Sequence, residues 1–169
     1  MIKIAVIGNN GEIGEDLSRA AEEIGKEVAI HNCVLLCGGL GGVMKAAAKG
    51  AKASRGLTIG IIPNYLEPLA NEYIDITISG LDFGLRNNIL VQSADCIIAI
   101  GGGAGTLNEI SMAYLSDKPV IIIKGYGGWV DKLGDDFIDE RKIRKLIVAF
   151  SPKEAVEKAL EAYETAVRA

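Results

Sequence analysis

Short apolar runs that end in glycine-rich turns are the feature that most restricts how this chain can fold. Ile2 to Ile7, Val34 to Cys37 and Cys96 to Ile100 are almost wholly apolar, and glycines follow each run. Continuous apolar runs of this length are typical of parallel strands that are covered on both faces. Apolar residues at helical spacing follow each glycine turn. The alternation predicts an α/β, Rossmann-like, doubly wound open sheet, mostly parallel, with about seven strands and helices on both faces.

Further patterns complete this sheet. Ile74, Ile76 and Ile78 alternate with polar residues, which indicates a half-exposed strand at an edge or peripheral position. Ser151, Pro152 and Glu154 form a strong start signal for a last helix. The remaining predicted elements are strands at Leu57–Ile62, Tyr73–Ser79, Val120–Ile123 and Leu146–Phe150, a helix at Leu85–Ala94, a short helix at Trp129–Leu133, and a loop with a helical turn at Asn64–Glu72.

Composition excludes several classes of protein. A length of 169 residues, with 24% charged and 49% hydrophobic residues, fits one globular domain over residues 1–169. The net charge of −4 and the lack of a Lys/Arg run argue against a nucleic-acid partner. Because no apolar stretch is long enough to span a membrane and no signal peptide is visible, we expect no membrane partner and a cytoplasmic location.

The thiols and the imidazole give weak signals for chemistry. Three cysteines are too few for a disulfide framework, and His31 is the only histidine, so we expect no metal site and no Ser-His-Asp triad. A nucleophilic pair of Cys33 with His31 is an alternative, but buried strand thiols fit the pattern better.

The stretch from Cys96 to Glu109, CIIAIGGGAGTLNE, predicts an anion site. Gly101, Gly102, Gly103 and Gly105 lie between a strand and a helix, where the first helical N–H groups have no partner inside the helix. A phosphate fits such a site. The stretch lacks the Lys of a Walker A loop, which argues against an ATP γ-phosphate site.

Glu109 is the acidic residue nearest to this turn. If the helix begins near Ala104, Glu109 lies in its second turn, and its carboxylate can reach back to the mouth of the phosphate site. We expect Leu107, Ile110 and Tyr114 to form the core face, with Glu109 off that face. The alternative is a carboxylate that only stabilises the helix dipole.

Two other glycine-rich turns follow predicted strands. The first has Asn10 where a dinucleotide-binding fingerprint has its middle glycine, and the second strand ends in Cys37-Gly38-Gly39 instead of a ribose-binding acid. NAD binding is therefore disfavoured. For Gly38 and Gly39, ligand binding and close helix–strand packing both remain open. The carboxyl ends of parallel strands share one edge, so we expect the turns to meet in one crevice.

The motifs CGGLGGVM and GGGAGTLNE, with Arg86 ahead of a strand between them, resemble a known superfamily. It contains the Lonely Guy cytokinin-activating phosphoribohydrolases, also labelled lysine decarboxylase-like, and the molybdenum-cofactor carrier proteins. The resemblance covers nearly the whole chain and is sharpest from Gly101 to Glu109.

The resemblance implies roles for particular residues. The phosphate cradle for a nucleoside 5′-monophosphate would be Gly102, Gly103, Gly105 and Thr106, and Gly38 and Gly39 would wall the same crevice. Arg86 and Glu109 would be the catalytic pair that acts at the ribose. No metal or cofactor is implied.

Two differences from the enzymes' pattern favour the carrier-like prokaryotic branch of the superfamily. Asn87 and Asn88 follow Arg86 where the enzymes have a Lys, and Gly101 replaces the signature Pro. The chain is thus expected to bind a small phosphorylated ligand. It would either hydrolyse the N-glycosidic bond of a nucleoside monophosphate or carry a pterin cofactor or nucleotide without catalysis. The resemblance also implies a homo-oligomer, at least a dimer.

Overall fold

The computed structural model describes residues 1–63 and 70–168. Residues 64–69 of the loop predicted at Asn64–Glu72 lie outside the described residues. A 3₁₀ helix spans Val130–Lys132. The strands are β1 Lys3–Gly8, β2 Val34–Cys37, β3 Thr58–Pro63, β4 Ile76–Leu81, β5 Cys96–Ile100, β6 Val120–Ile123 and β7 Ile147–Ala149. The helices are α1 Glu15–Ile30, α2 Gly42–Ala53, α3 Phe83–Ser93, α4 Ala104–Leu115 and α5 Pro152–Arg168.

One seven-stranded sheet organises these elements, in the order β4-β3-β2-β1-β5-β6-β7. All its neighbouring strands run parallel, and Ile4 of β1 pairs with Leu35 of β2 on one side and Cys96 of β5 on the other. The chain adds strands on one side of β1 up to β4 and then crosses to β5. This reversal opens a crevice at the carboxyl ends of β1 and β5, where open α/β sheets bind ligands. The predicted fold class is confirmed.

Helices cover both faces of the sheet. Ile4, Val6 and Ile98 pack into one core layer with residues of α1, α2 and α5. Ala5 and Ile97 face the opposite way, into a second layer that includes Leu90 of α3 and Ile110 of α4. Burial on both faces explains why the strand sequences are continuously apolar.

The small residues of α2 serve contact with a helix as well as with the sheet. A methyl group on Gly50 would overlap the Glu22 carbonyl of α1, and one on Gly25 of α1 would overlap the Ala47 carbonyl of α2. The sequence predicted close packing of α2 on the sheet and missed this close approach of two helix backbones.

Two element starts differ from the prediction for local reasons. β4 begins at Ile76, directly after Asp75. The Asp75 carboxylate accepts the Thr58 amide at 3.0 Å, so a side chain pairs with this N–H of β3 and the strand pairing begins one residue later. α3 begins at Phe83 because the Asp82 side chain caps the amide of Leu85. The predicted edge position of β4 is confirmed. Within residues 1–63 and 70–168, no helix is both long enough and apolar enough to cross a membrane. That residues 1–169 form a single domain stays a prediction.

Candidate functional site

A cavity of about 280 Å³ opens at the carboxyl ends of the central strands. The turns after β1, β2 and β5 all contribute to it, which confirms that they meet in one crevice. Arg86, Glu109, Gly38, Gly103, Gly105 and Thr106 are the predicted site residues that line it. Its other described lining residues are Val6, Ile7, Gly8, Asn9, Asn10, Leu40, Met44, Pro63, Asn87 and Leu90.

The N-terminus of α4 supplies unpaired amides to this cavity. α4 begins at Ala104, as predicted, and no side chain caps it at Gly103. The amides of residues 103–106 make no hydrogen bond to any residue that the structure describes. Space is open where a Cβ would stand on Gly103 and on Gly105. Free N–H groups at the positive end of a helix form an anion site.

Gly102 shapes this turn, although its own amide is already paired. That amide donates to Asn9 Oδ1 at 2.7 Å, and the Gly102 carbonyl accepts from the Trp129 amide at 2.9 Å. Gly102 has φ +86°, and a Cβ there would lie 2.5 Å from Thr106. The position therefore requires glycine. Gly102 does not itself line the cavity, and its predicted contact with phosphate stays a prediction.

Arg86 on α3 is buried, with 6% of its surface exposed. Its Nε donates to the Ile61 carbonyl at 2.7 Å, and its Nη1 donates to Asn87 Oδ1 at 2.7 Å and to Glu109 Oε1 at 3.2 Å. Among the described residues, Nη2 has only the weak acceptor Met44 Sδ at 3.7 Å. Arg86 is thus fixed on one side and keeps donor capacity at the cavity wall.

Glu109 on α4 is buried to the same extent as Arg86, with which it forms an ion pair. Burial raises the pKa of the Glu109 carboxyl to about 7, and the Arg86 charge offsets only part of this rise. Ile110 and Tyr114 are buried as predicted, whereas Leu107 is only half-buried. Glu109 lines the cavity beside Arg86, and a carboxyl with a pKa of about 7 can both accept and release a proton near neutral pH.

Sequence reasoning assigned no role in the site to three asparagines, although it named Asn10 and Asn87 as departures from known motifs. Asn87 is 1% exposed, and its Nδ2 donates to Asn108 Oδ1 at 3.2 Å. Asn9 and Asn10 line the cavity from the turn after β1. The sequence did carry a signal for Asn9 and Asn10, because both amide side chains lie inside a glycine-rich turn that follows a predicted strand.

Gly39 and the glycines of the turn after β6 do not line the cavity. Gly39 adopts φ +71° and packs beside Gly60 and Ile62, so close packing explains it, although its contact with a ligand stays a prediction. In the turn after β6, the Asp131 carboxylate already accepts the amides of Gly125 and Gly127.

No Cys33–His31 pair forms. The Cys33 thiol donates to the His31 carbonyl, and the His31 ring contacts the Glu27 carbonyl. All three cysteines are buried and free, as predicted for strand thiols.

The sequence is similar to those of known proteins. An "uncharacterized protein" of Archaeoglobus fulgidus is 43% identical over 74% of this chain and 85% of its own length. A cytokinin riboside 5′-monophosphate phosphoribohydrolase of Mycobacterium tuberculosis is 30% identical, over 83% of this chain and 84% of that enzyme.

The fold is also similar to a solved carrier structure. The molybdenum cofactor carrier protein of Chlamydomonas reinhardtii is 31% identical and superposes with a TM-score of 0.82, over 96% of this chain and 98% of the carrier. The model of the SLOG cluster4 family matches residues 1–156, and the chain belongs to that family.

Proposed function

We propose that the protein binds a nucleoside 5′-monophosphate and hydrolyses its N-glycosidic bond, releasing the free base and ribose 5-phosphate. One observation carries the proposal. The buried Arg86–Glu109 pair lines the same cavity as the unpaired amides at the start of α4. An anion site and an acid–base pair within one cavity suit a substrate with a phosphate at one end and a reacting sugar at the other.

In this proposal the amides of Gly103 and Gly105, with those of Ala104 and Thr106, hold the 5′-phosphate. The backbone does this without a lysine because several N–H groups and the helix dipole point at the same anion. Gly103 and Gly105 leave room for the phosphate oxygens because, apart from their chain neighbours and the backbone of α4, no atom of the described residues lies within 4 Å of where their Cβ atoms would stand.

Arg86 and Glu109 then act at the ribose. Cleavage of the C–N bond develops positive charge on the sugar, and water supplies the new C–O bond while the base leaves with a proton. The ionised Glu109 carboxylate stabilises that charge in a site from which much water is excluded. Its pKa of about 7 keeps both protonation states accessible near neutral pH. Arg86 orients the carboxylate and offers Nη2 to the substrate.

The second candidate is a carrier that binds a phosphorylated pterin or nucleotide without cleaving it. Two observations favour it: the similarity to the Chlamydomonas reinhardtii carrier over almost the whole chain, and the neutral Asn87 beside Arg86. Glu109 would then orient the ligand. The same anion site serves either function. A homo-oligomeric state also remains a proposal in both cases.

A panel assay decides between the two candidates. Purified protein is incubated with the 5′-monophosphates of adenosine, guanosine, cytidine, uridine and an N6-substituted adenosine, and release of base and ribose 5-phosphate is followed by chromatography. Thermal shift is measured with the same nucleotides and with molybdopterin. Base release supports the hydrolase. A ligand that raises the melting temperature strongly but is never cleaved supports the carrier.

A further inference from the structure

Two neutral side chains fasten the turn after β1 to its neighbours at the cavity mouth. Asn9 Oδ1 accepts the Gly102 amide at 2.7 Å, and Asn10 Oδ1 accepts the Gly41 amide at 3.1 Å. Both asparagines line the cavity. Each main-chain N–H is therefore satisfied without any charge being placed at the mouth.

Elsewhere the same task falls to carboxylates. Asp95 accepts the Lys3 amide at 2.8 Å, Asp75 accepts the Thr58 amide at 3.0 Å, and Asp131 accepts two glycine amides at 2.8 and 2.7 Å. None of these three lines the cavity. Since an ionised acceptor makes the stronger hydrogen bond, capping strength alone does not explain asparagine at the mouth.

The NH₂ group of Asn9 differs from that of another capping asparagine. Asn71, another neutral cap, accepts the Tyr73 amide with its oxygen and uses its NH₂ group on the carbonyls of Gly39 and Leu40. In contrast, Asn9 Nδ2 donates to no residue that the structure describes. Because the Gly102 N–H fixes the oxygen, the NH₂ group of this half-buried residue is left available.

We propose that Asn9 selects a phosphate-bearing ligand: its NH₂ group donates to the phosphate held at the start of α4, and its neutrality admits the anion. This inference rests on the proposed binding of phosphate. It adds to that proposal a residue of the turn after β1, which lies beside Gly102 at the start of α4 and senses the charge of the ligand. A carboxylate at position 9 would cap Gly102 equally well but would repel the ligand.

Three substitutions test the inference. Binding of ribose 5-phosphate, AMP and adenosine is measured by calorimetry for the wild type, Asn9→Asp, Asn9→Ala and Asn88→Asp. Asn88 is exposed and outside the cavity lining, so Asn88→Asp controls for the added charge alone. Melting temperatures without ligand and circular dichroism report whether each variant folds.

The order of affinities separates selection from capping. If Asn9 selects the anion, Asn9→Asp binds ribose 5-phosphate at least about tenfold more weakly than the wild type because a like charge faces the phosphate. Asn9→Ala then falls between them, adenosine binding is unchanged, and Asn88→Asp behaves as the wild type. If Asn9 only caps the turn, Asn9→Asp matches the wild type and Asn9→Ala is the weakest, which overturns the inference.

The same experiment distinguishes this inference from the proposed hydrolysis. Ligand binding in the predicted order without any base release would overturn the hydrolase and support the selection by Asn9. Base release together with equal binding by Asn9→Asp would do the reverse. A wild-type protein that binds none of the phosphorylated probes would overturn both.

Discussion

Gly38 gives the guanidinium of Arg86 the space that it occupies. A methyl group on Gly38 would overlap Arg86 Nη2 and would lie 2.8 Å from Arg86 Cζ. The guanidinium cannot simply swing away, because its Nε and Nη1 are held by the Ile61 carbonyl, Asn87 and Glu109. Gly38, directly after β2, is therefore explained by the buried side chain of Arg86, which comes from α3.

Gly38→Ala is expected to expel Arg86 from its hydrogen bonds. Loss of one partner of a buried ion pair leaves the Glu109 carboxylate uncompensated and costs roughly 3–5 kcal/mol. We expect a lower free energy of unfolding by denaturant, together with loss of any base release.

Gly105→Ala is the matched control for stability. It adds the same methyl group at another cavity residue, but into open space within a helix. We expect its melting temperature to equal or exceed that of the wild type, because alanine in a helix adds roughly 0.5–1 kcal/mol to the free energy of unfolding. Equal destabilisation by the two alanines would contradict the explanation of Gly38 by Arg86.

Glu109→Gln separates binding from hydrolysis. The amide keeps the shape of the side chain and can still accept from Arg86, but it carries no negative charge to stabilise the developing cation on the sugar. We expect the affinity for ribose 5-phosphate to change by less than about threefold, and base release to fall by about 10²-fold or more. Calorimetry and single-turnover assays give the two values.

Glu27→Gln provides the comparison for that substitution. Glu27 is also buried, on α1, but it does not line the cavity. Its glutamine variant should bind and turn over nucleotides as the wild type does. If Glu109→Gln releases base at the wild-type rate, Glu109 has no part in the chemistry.

The sequence predicted the sheet well because the determining signals are local. A buried strand such as Cys96–Ile100 is visible as a short apolar run, and the glycines after it mark where α4 begins. The approach of Gly25 and Gly50 to a neighbouring helix was not predictable, because it depends on how two distant segments cross.

The site was predicted in its residue types but not in its connections. Glu109 was predicted from its place in the second turn of α4 and Arg86 from the resemblance, and the structure brings Nη1 of Arg86 within 3.2 Å of Glu109 Oε1. The roles of Asn9 and Asn87 were hidden because an asparagine in a turn or on a helix usually signals a cap or a surface position. Only the tertiary structure reveals that their amide oxygens accept from Gly102 and Arg86.

Asn87→Leu tests whether the buried amide holds Arg86 in place. Leucine has the same branching at Cγ but accepts nothing from Arg86 Nη1 and donates nothing to Asn108. An unsatisfied donor on a buried guanidinium costs about 1–3 kcal/mol. We expect this loss in denaturant unfolding, with a lower kcat and little change in KM. Asn108→Ala removes only the exposed outer partner and should cost much less; similar losses in both variants would contradict this role.

Glu109 should make the stability of the protein depend on pH. Its carboxyl has a pKa of about 7 in the folded protein and an ordinary value of 4.5, so between these values the folded state holds a proton that the unfolded state has released. The free energy of unfolding should therefore fall as pH rises from about 4.5 through 7, by at most about 3 kcal/mol at about 1.4 kcal/mol per pKa unit.

Glu109→Gln should abolish this contribution because glutamine does not titrate. Urea unfolding at pH 5 and pH 8 gives the difference for the wild type, and we expect it to exceed the difference for Glu109→Gln by about 1–3 kcal/mol. Glu27→Gln should retain the wild-type difference. Parallel pH profiles for the wild type and Glu109→Gln would mean that Glu109 is ionised throughout, held so by Arg86, and base release would then show no rise through pH 7.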